Sequence, residues 1–201
     1  YTVDSFSDHA ISGTKFLVSE ASNDGEVKNT PGSYKDIIHY IENSAGDKEV
    51  SEIAKTIFFL LAEAESYVHK VKIDNLSFHE LGEWDSIVDI IGASFFINAL
   101  DANWSFGEVP LGGGSVLTEH GKLPVPAPAT CYLLEDFEIY DDGVMGERVT
   151  PTGAAILKFL RNHQSVSSKK GILKGSGVGF GTKRFNKLAN ILRVLVFNDK
   201  Q

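Results

Sequence analysis

The residues whose types and spacing are best suited to chemistry lie between positions 79 and 89. His79 and Glu80 stand just before a predicted helix, and Asp85 and Asp89 lie at its beginning. Because Asp85 and Asp89 are four residues apart, the helical period places both carboxylates in one row. Like charges in a poorly hydrated row repel each other, and a bound cation, a basic side chain or a raised pKa relieves the repulsion. The convergence of four polar ligands on one segment favours a metal site.

The same residues also have a purely structural interpretation. Asp85 can cap the helix, and Asp89 in an early turn gains from the positive end of the helix dipole. A His-Glu pair close to a glycine is common in ordinary loops. From the residues alone, both interpretations stay open.

The helix that carries the two aspartates is predicted to be buried. Its apolar residues Trp84, Ile87, Val88, Ile91 and Phe95 share one stripe, and further isoleucines lie off it. A helix that is apolar over most of its circumference is typical of a protein core. We therefore expect the acidic row to project from the side of a core helix.

Two further segments are typical of anion binding. Gly112, Gly113 and Gly114, followed by Ser115, let the backbone approach a ligand closely and can form an N–H nest. Thr150 and Pro151 open a predicted helix over 154–163, whose first N–H groups can receive a phosphate or carboxylate. The alternatives are a flexible connector and a well-capped helix that needs no ligand.

The remaining pattern predicts an α+β fold. Helical spacing indicates helices over 34–43, with Ser33 as cap, over 47–69 and over 127–134. Alternation predicts strands over 13–20, 104–111, 137–140 and 190–197, while 1–13 is polar and predicts a loop or sheet edge. We expect a mixed sheet packed against several helices in one domain over 1–201, with a layered α/β arrangement as the alternative.

Alternating glycines over 175–181 do not have the context of a dinucleotide-binding fingerprint, which needs a helix directly after the glycines. A strand follows instead. We interpret the segment as a connection between two strands, with Lys183 and Arg184 exposed.

Composition narrows the functional classes. The chain has 201 residues, is 42% hydrophobic and 23% charged, and carries a net charge of −8. This acidity argues against nucleic acid and anionic membranes as partners and suits a cation.

The one cysteine, Cys131, excludes an internal disulfide and a cysteine-based zinc site. Without a membrane span or signal peptide in its pattern, the chain is predicted to be cytoplasmic. Because it opens on Tyr1, we expect that an N-terminal piece is missing.

Three long motifs, in order along the chain, resemble one family. They cover residues 78–92, 120–130 and 149–157, and shorter matches at 11–14, 34–37, 177–182 and 190–194 keep the same order. The chain is thus similar to the LarC-type nickel insertion proteins, which help to make the nickel-pincer cofactor.

The resemblance implies an enzyme, a nickel chelatase or cyclometallase. Such proteins insert nickel into a pyridinium bisthiocarboxylate mononucleotide, form one metal–carbon and two metal–sulfur bonds, and consume CTP. The chain resembles the first, metal-handling module, so CTP is expected to bind a separate C-terminal module. Self-association is also implied, largely through regions outside these residues.

The resemblance also implies site residues. A mixed nitrogen and oxygen ligand set would hold nickel loosely enough for release. The metal ligands would be His79, Glu80, Asp85, Asp89 and His120. The mononucleotide would lie against Gly112, Gly113, Gly114, Ser115, Thr150, Thr152, Gly153, Lys183 and Arg184.

Two other functions remain open. One is a non-catalytic interaction or regulatory domain, in which the polar motifs only cap helices and brace turns. The other is a metal-dependent phosphohydrolase, in which the acidic row holds a divalent ion that polarises a phosphate.

Overall fold

The structure, a computed structural model, describes residues 1–18, 32–76, 84–118, 121–163, 171–186 and 188–198. Three predicted metal ligands, His79, Glu80 and His120, lie outside these ranges. The chain divides into two compact units, one of Tyr1–Ala21 with Ser168–Gln201 and one of Ser22–Ser167. The assignment of 1–201 to one domain stays a prediction.

In chain order the elements are β1 (Thr2–Asp8), β2 (Ile11–Leu17), α1 (Tyr34–Ser44), α2 (Lys48–His69), a 3-10 turn (Ile73–Asn75), α3 (Trp84–Leu100), β3 (Val109–Pro110), β4 (Gly112–Gly113), β5 (Ser115–Thr118), β6 (Gly121–Pro124), α4 (Pro128–Leu133), β7 (Ile139–Tyr140), β8 (Gly146–Glu147), α5 (Pro151–His163), β9 (Ile172–Phe180) and β10 (Ile191–Asn198).

The first unit is a four-stranded sheet in the order β1-β2-β9-β10. The β1–β2 and β9–β10 pairs are antiparallel, whereas β2 and β9 run parallel, with Thr14 opposite Gly179. The sheet is therefore mixed, and with the helices of the second unit it confirms the predicted α+β class. Within the described residues the polar N-terminal segment forms an edge strand of this sheet, in agreement with its pattern.

The glycine-rich segment is a strand, so its interpretation as a connection was wrong. Gly175, Gly177 and Gly179 alternate along β9 and lie opposite apolar residues of β10. Glycine weakens a strand on its own, but β9 lies between two partner strands that fix its backbone. At Gly13 on β2 a Cβ atom would press against Val178, so the two strands approach each other closely at that point.

The second unit is built around α2. Ala54, Ile57, Phe58 and Leu61 expose no surface, and α1, α3, α4 and α5 pack against or beside this helix. Asp47 caps α2, because its Oδ1 accepts hydrogen bonds from the backbone N–H groups of Glu49 and Val50 at 2.8 and 3.1 Å. The predicted amphipathic helix and its buried face are confirmed.

The predicted caps of α1 and α5 are also confirmed. Ser33 Oγ accepts from the Asp36 backbone N–H at 3.2 Å at the start of α1. Thr150 Oγ1 accepts from the Gly153 N–H at 3.2 Å, and Pro151 is the first residue of α5. No helix in the ranges given above has the length and apolarity that a bilayer span requires.

Candidate metal site

Among the described residues, helix α3 packs against the core through one face. Trp84 packs edge-to-face on Tyr40 of α1, with ring centroids 4.7 Å apart, and Ile87 and Ile90 are completely buried. Ser94 is buried on the same side and satisfies its hydroxyl by donating to the Ile90 carbonyl at 2.7 Å. These contacts fix the rotation of α3 about its own axis.

The opposite face of α3 is open, and the prediction of a fully buried helix was wrong. Phe95 and Phe96 are 53% and 58% exposed, and Asp85 and Asp89 also lie on exposed positions. Because apolar residues occur on every side of α3, the sequence pattern did not distinguish the side that meets the core. The acidic row projects from the exposed face of the helix.

The two aspartates form the predicted row and influence each other. Asp85 Oδ1 accepts the backbone N–H of Ser86 at 2.8 Å, so this carboxylate braces the first turn. The pKa of Asp89 is raised above its ordinary value, first because surrounding atoms remove water from its carboxyl, and second because the negative charge of Asp85 is close. Although Asp89 has an exposed position, its carboxyl is therefore partly dehydrated.

Neither aspartate has a cationic partner within the described part of the chain. Other acids do, since Asp142 Oδ2 accepts Arg148 Nε at 2.7 Å and Lys55 lies between Glu42 and Glu52. The row of α3 thus differs from these structural ion pairs. Two uncompensated carboxylates on successive turns offer oxygen donors to a divalent cation.

The described residues alone do not complete a metal site. No group of three or more histidine, cysteine, aspartate or glutamate side chains comes together among them. The structure brings together Asp85 and Asp89, while His79, Glu80 and His120 remain predictions outside the described ranges. A complete ligand set would need donors from those residues or from solvent.

The glycine run has a packing explanation. Gly112 and Gly113 form β4 and pair with Glu147 and Gly146 of β8. Gly112 has φ +76°, and a Cβ atom there would overlap the Gly146 carbonyl oxygen. The sequence predicted that the backbone at these glycines approaches another group closely, and in the structure that group is the backbone of β8. Their role in substrate binding, with that of Ser115, stays a prediction.

Strand β8 links the glycine run to the N-terminus of α5. Gly112 pairs with Glu147, and Thr150 follows only three residues later, a chain distance of at most about 10 Å. Arg148 lies between them, with its Cγ close to the position of a Cβ at Gly112. The sequence analysis did not identify Arg148 as a candidate site residue. Its position directly before the Val-Thr-Pro-Thr-Gly motif could have indicated it.

The other predicted substrate residues are spread over both units. Thr152 and Gly153 lie in the first turn of α5, whereas Lys183 and Arg184 belong to the first unit. Both basic residues are exposed, as expected, and the Lys183 carbonyl accepts Asn190 Nδ2 at 3.0 Å. Their substrate role remains a prediction.

Comparison with known proteins gives one consistent result. The model of the family described as "Nickel insertion protein" matches residues 1–201. No solved structure matches the chain.

Several curated relatives carry the provisional name of nickel insertion protein. A protein from Geotalea uraniireducens is 43% identical over 164 residues, which are 81% of this chain and 42% of that protein. One from Geobacter metallireducens is 46% identical over 165 residues, 81% of this chain and 42% of the relative. One from Methanocaldococcus jannaschii is 41% identical over 169 residues, 83% and 44% respectively. The chain thus spans about half the length of the curated relatives it matches.

Proposed function

The chain belongs to the nickel insertion protein family, and on this premise we propose that it is the module that binds Ni²⁺ and delivers it to a small sulfur-containing acceptor. The acceptor that the sequence resemblance implies is a pyridinium bisthiocarboxylate mononucleotide. The product would be a nickel-pincer cofactor, with nickel as a substrate rather than a resident cofactor.

The observation that carries the proposal is the acidic row of α3. Asp85 and Asp89 lie on one exposed helix face and lack a cationic partner among the described residues, and the pKa of Asp89 is raised first by dehydration of its carboxyl and second by repulsion from Asp85. A divalent cation bound between them would offset this repulsion. Both residues lie in the first of the three motifs on which the resemblance rests.

The exposure of the row suits transfer better than storage. A cation on an open helix face keeps part of its water shell and can exchange ligands quickly, whereas a closed cage would retain it. Carboxylates are hard donors, and nickel accepts softer nitrogen and sulfur ligands readily. Two thiocarboxylate sulfurs on the acceptor would therefore draw the ion away from Asp85 and Asp89.

For the acceptor's phosphate we propose the neighbourhood of β4, β8 and the start of α5. This region combines backbone N–H groups at the N-terminus of a 13-residue helix with Arg148, whose guanidinium also donates to Asp142 and would be shared between that carboxylate and the phosphate. Helix N-termini and guanidinium groups are the usual protein partners of phosphate. CTP consumption is expected to need the C-terminal module that the resemblance implies.

Calorimetric titration of the purified chain with nickel chloride tests the metal-binding claim. We expect saturable heat for the wild-type chain and a loss of affinity of about tenfold or more in Asp85→Asn and Asp89→Asn, because each removes one anionic donor. The matched control is Glu49→Gln, which neutralises an exposed acid in the first turn of α2.

The control should bind nickel like the wild type. If nickel affinity falls equally in all three variants, the loss comes from the lower negative charge of the chain and not from a site at Asp85 and Asp89. If the wild-type chain gives no heat with nickel, the proposal is contradicted. Circular dichroism on each variant separates lost binding from lost folding.

A further inference from the structure

The open face of α3 continues beyond the acidic row. Gly92 follows Asp89 by three residues and Phe96 follows Gly92 by four, so the helical period places all three in line with Asp85. Phe96 is exposed, whereas Ser94 on the opposite side of the helix is completely buried. One face of α3 thus carries two carboxylates, a glycine and an aromatic ring within about 16 Å.

Gly92 has no packing reason among the described residues. A Cβ atom at this position would meet nothing within 4 Å, in contrast to Gly112, at which a Cβ atom would overlap the backbone of β8. Gly92 also lies in the interior of α3, where glycine is the least favourable residue after proline. A side chain at position 92 would fit and would stabilise the helix, so its absence leaves a gap between the acidic row and Phe96.

Phe95 and Phe96 form a pair of nearly perpendicular rings beside this gap. Their centroids are 5.5 Å apart and their planes enclose 75°. Both rings are more than half exposed. A planar ring that stacks on one of them would therefore lie within the usual distance of aromatic pairs from both.

The nearby carboxylates indicate which planar ring suits this face. Asp89 and Phe96 are about 10 Å apart along the helix axis, with only Gly92 between them in the row. Aromatic faces attract cations, and carboxylates that lack a cationic partner among the described residues favour positive charge over the same surface. Both features favour a flat ring that carries a positive charge.

We propose that Gly92 and Phe96 form a ring site, in which the positively charged ring of the acceptor lies over Gly92 and stacks on Phe96. This inference rests on the proposed function, because it places the acceptor next to nickel bound at Asp85 and Asp89. Ring and metal are then about one helical turn apart before transfer. Gly92 provides the space for the ring, and Phe96 provides the stacking contact.

An apolar protein segment is the competing occupant of this face. The centres of protein interfaces are depleted of aspartate, whereas here Asp89 lies within two turns of Phe96. An apolar cover would dehydrate Asp89 further without giving it a partner, which is unfavourable. A cationic ring instead compensates the charge that it covers.

Calorimetric titration of the metal-free chain with nicotinic acid mononucleotide tests the ring site, because this probe is a pyridinium ring on a ribose phosphate. We expect saturable binding. Uridine 5′-monophosphate has the same net charge and a neutral ring, and it should bind about threefold or more weakly. Equal affinity for the two, or no binding of nicotinic acid mononucleotide, would overturn the proposal.

A substitution series at Gly92 separates ring binding from folding. Gly92→Ala and Gly92→Leu should unfold at higher urea concentrations than the wild type, because alanine and leucine are better helix formers. Affinity for nicotinic acid mononucleotide should fall slightly in Gly92→Ala and about tenfold in Gly92→Leu, whose side chain fills the gap. A glycine with only a structural role would not give higher stability together with weaker binding. Unchanged affinity in Gly92→Leu would overturn the proposal.

Phe96→Ala tests the stacking contact. Its affinity for nicotinic acid mononucleotide should be about fivefold weaker than that of the wild type. The matched control is Phe59→Ala, which removes an exposed phenylalanine from α2 and should bind the probe like the wild type. Equal losses in the two variants would contradict a specific site at Phe96.

Nickel titrations of the same variants distinguish this inference from the proposed function. Gly92→Leu and Phe96→Ala retain both aspartates, so they should bind nickel like the wild type. A wild-type chain that binds nickel but not nicotinic acid mononucleotide would overturn the ring site alone. A chain that binds the mononucleotide but not nickel would contradict the metal proposal and support the ring site.

Discussion

At the scale of single residues, the unusual group is Asp89. It lies on an open helix face, yet surrounding atoms dehydrate its carboxyl and Asp85 adds a like charge one turn away. Both effects disfavour the ionised form, so its pKa in the folded protein lies above 3.8, the ordinary value. A residue present only to stabilise the start of the helix would show the opposite direction.

This direction predicts how stability depends on pH. A carboxyl whose pKa is raised by folding contributes stability while it is protonated, below its unfolded pKa, and loses that contribution as the pH rises through the folded pKa. In metal-free buffer at neutral pH we therefore expect Asp89→Asn to unfold at a higher urea concentration than the wild type. The difference should vanish below pH 3.8.

Asp85→Asn is the companion variant, because it removes the second cause of the raised pKa and should give a smaller gain. If Asp89→Asn instead proves less stable than the wild type at neutral pH, the carboxylate supports the helix and the structural interpretation of the row is correct.

Residue spacing predicted part of this arrangement. Four-residue spacing placed Asp85 and Asp89 in one row, and cap chemistry located Ser33 and Thr150, because these features depend on local backbone geometry. Burial of the row was predicted wrongly, since it depends on which face of α3 meets the other helices. Arg148 was missed because its position beside Gly112 arises from the pairing of β4 with β8.

At the scale of elements, the pairing of β4 with β8 gives the glycine run its structural role. Gly112 needs a positive φ and leaves no room for a Cβ atom, whereas at Gly113 the nearest atom to a Cβ would be Met145 Sδ at 3.9 Å. A side chain at position 112 would therefore be strained, whereas one at position 113 has room for a Cβ atom.

We expect Gly112→Ala to lower the free energy of unfolding by about 2 kcal/mol or more, since both the backbone conformation and the overlap with Gly146 are unfavourable. Gly113→Ala should stay within about 0.5 kcal/mol of the wild type. Urea denaturation of both variants measures the difference. Equal losses would show that the β4–β8 pairing is not what requires glycine at 112.

The elements that the sequence predicted well have strong periodicity. Helices α1, α2 and α5 lie within a residue or a few of their predicted bounds because an amphipathic face and a cap agree. Strand β9 was interpreted wrongly because glycine signals a loop locally, while its parallel partner β2 lies far away in the sequence. Of the predicted strand over 104–111, only Val109–Pro110 is regular.

At the scale of the whole molecule, the chain comprises a sheet unit and a helical unit, and the proposed chemistry lies in the helical one. The acidic row, the β4–β8 pair and the start of α5 all belong to Ser22–Ser167. A net charge of −8 also suits a protein that attracts a divalent cation.

Anomalous diffraction at the nickel absorption edge, from crystals of the chain soaked in nickel, tests the central claim most directly. The account predicts a peak within coordination distance of the carboxylate oxygens of Asp85 and Asp89. A nickel peak bound elsewhere, with both aspartates hydrated and free of metal, would contradict it.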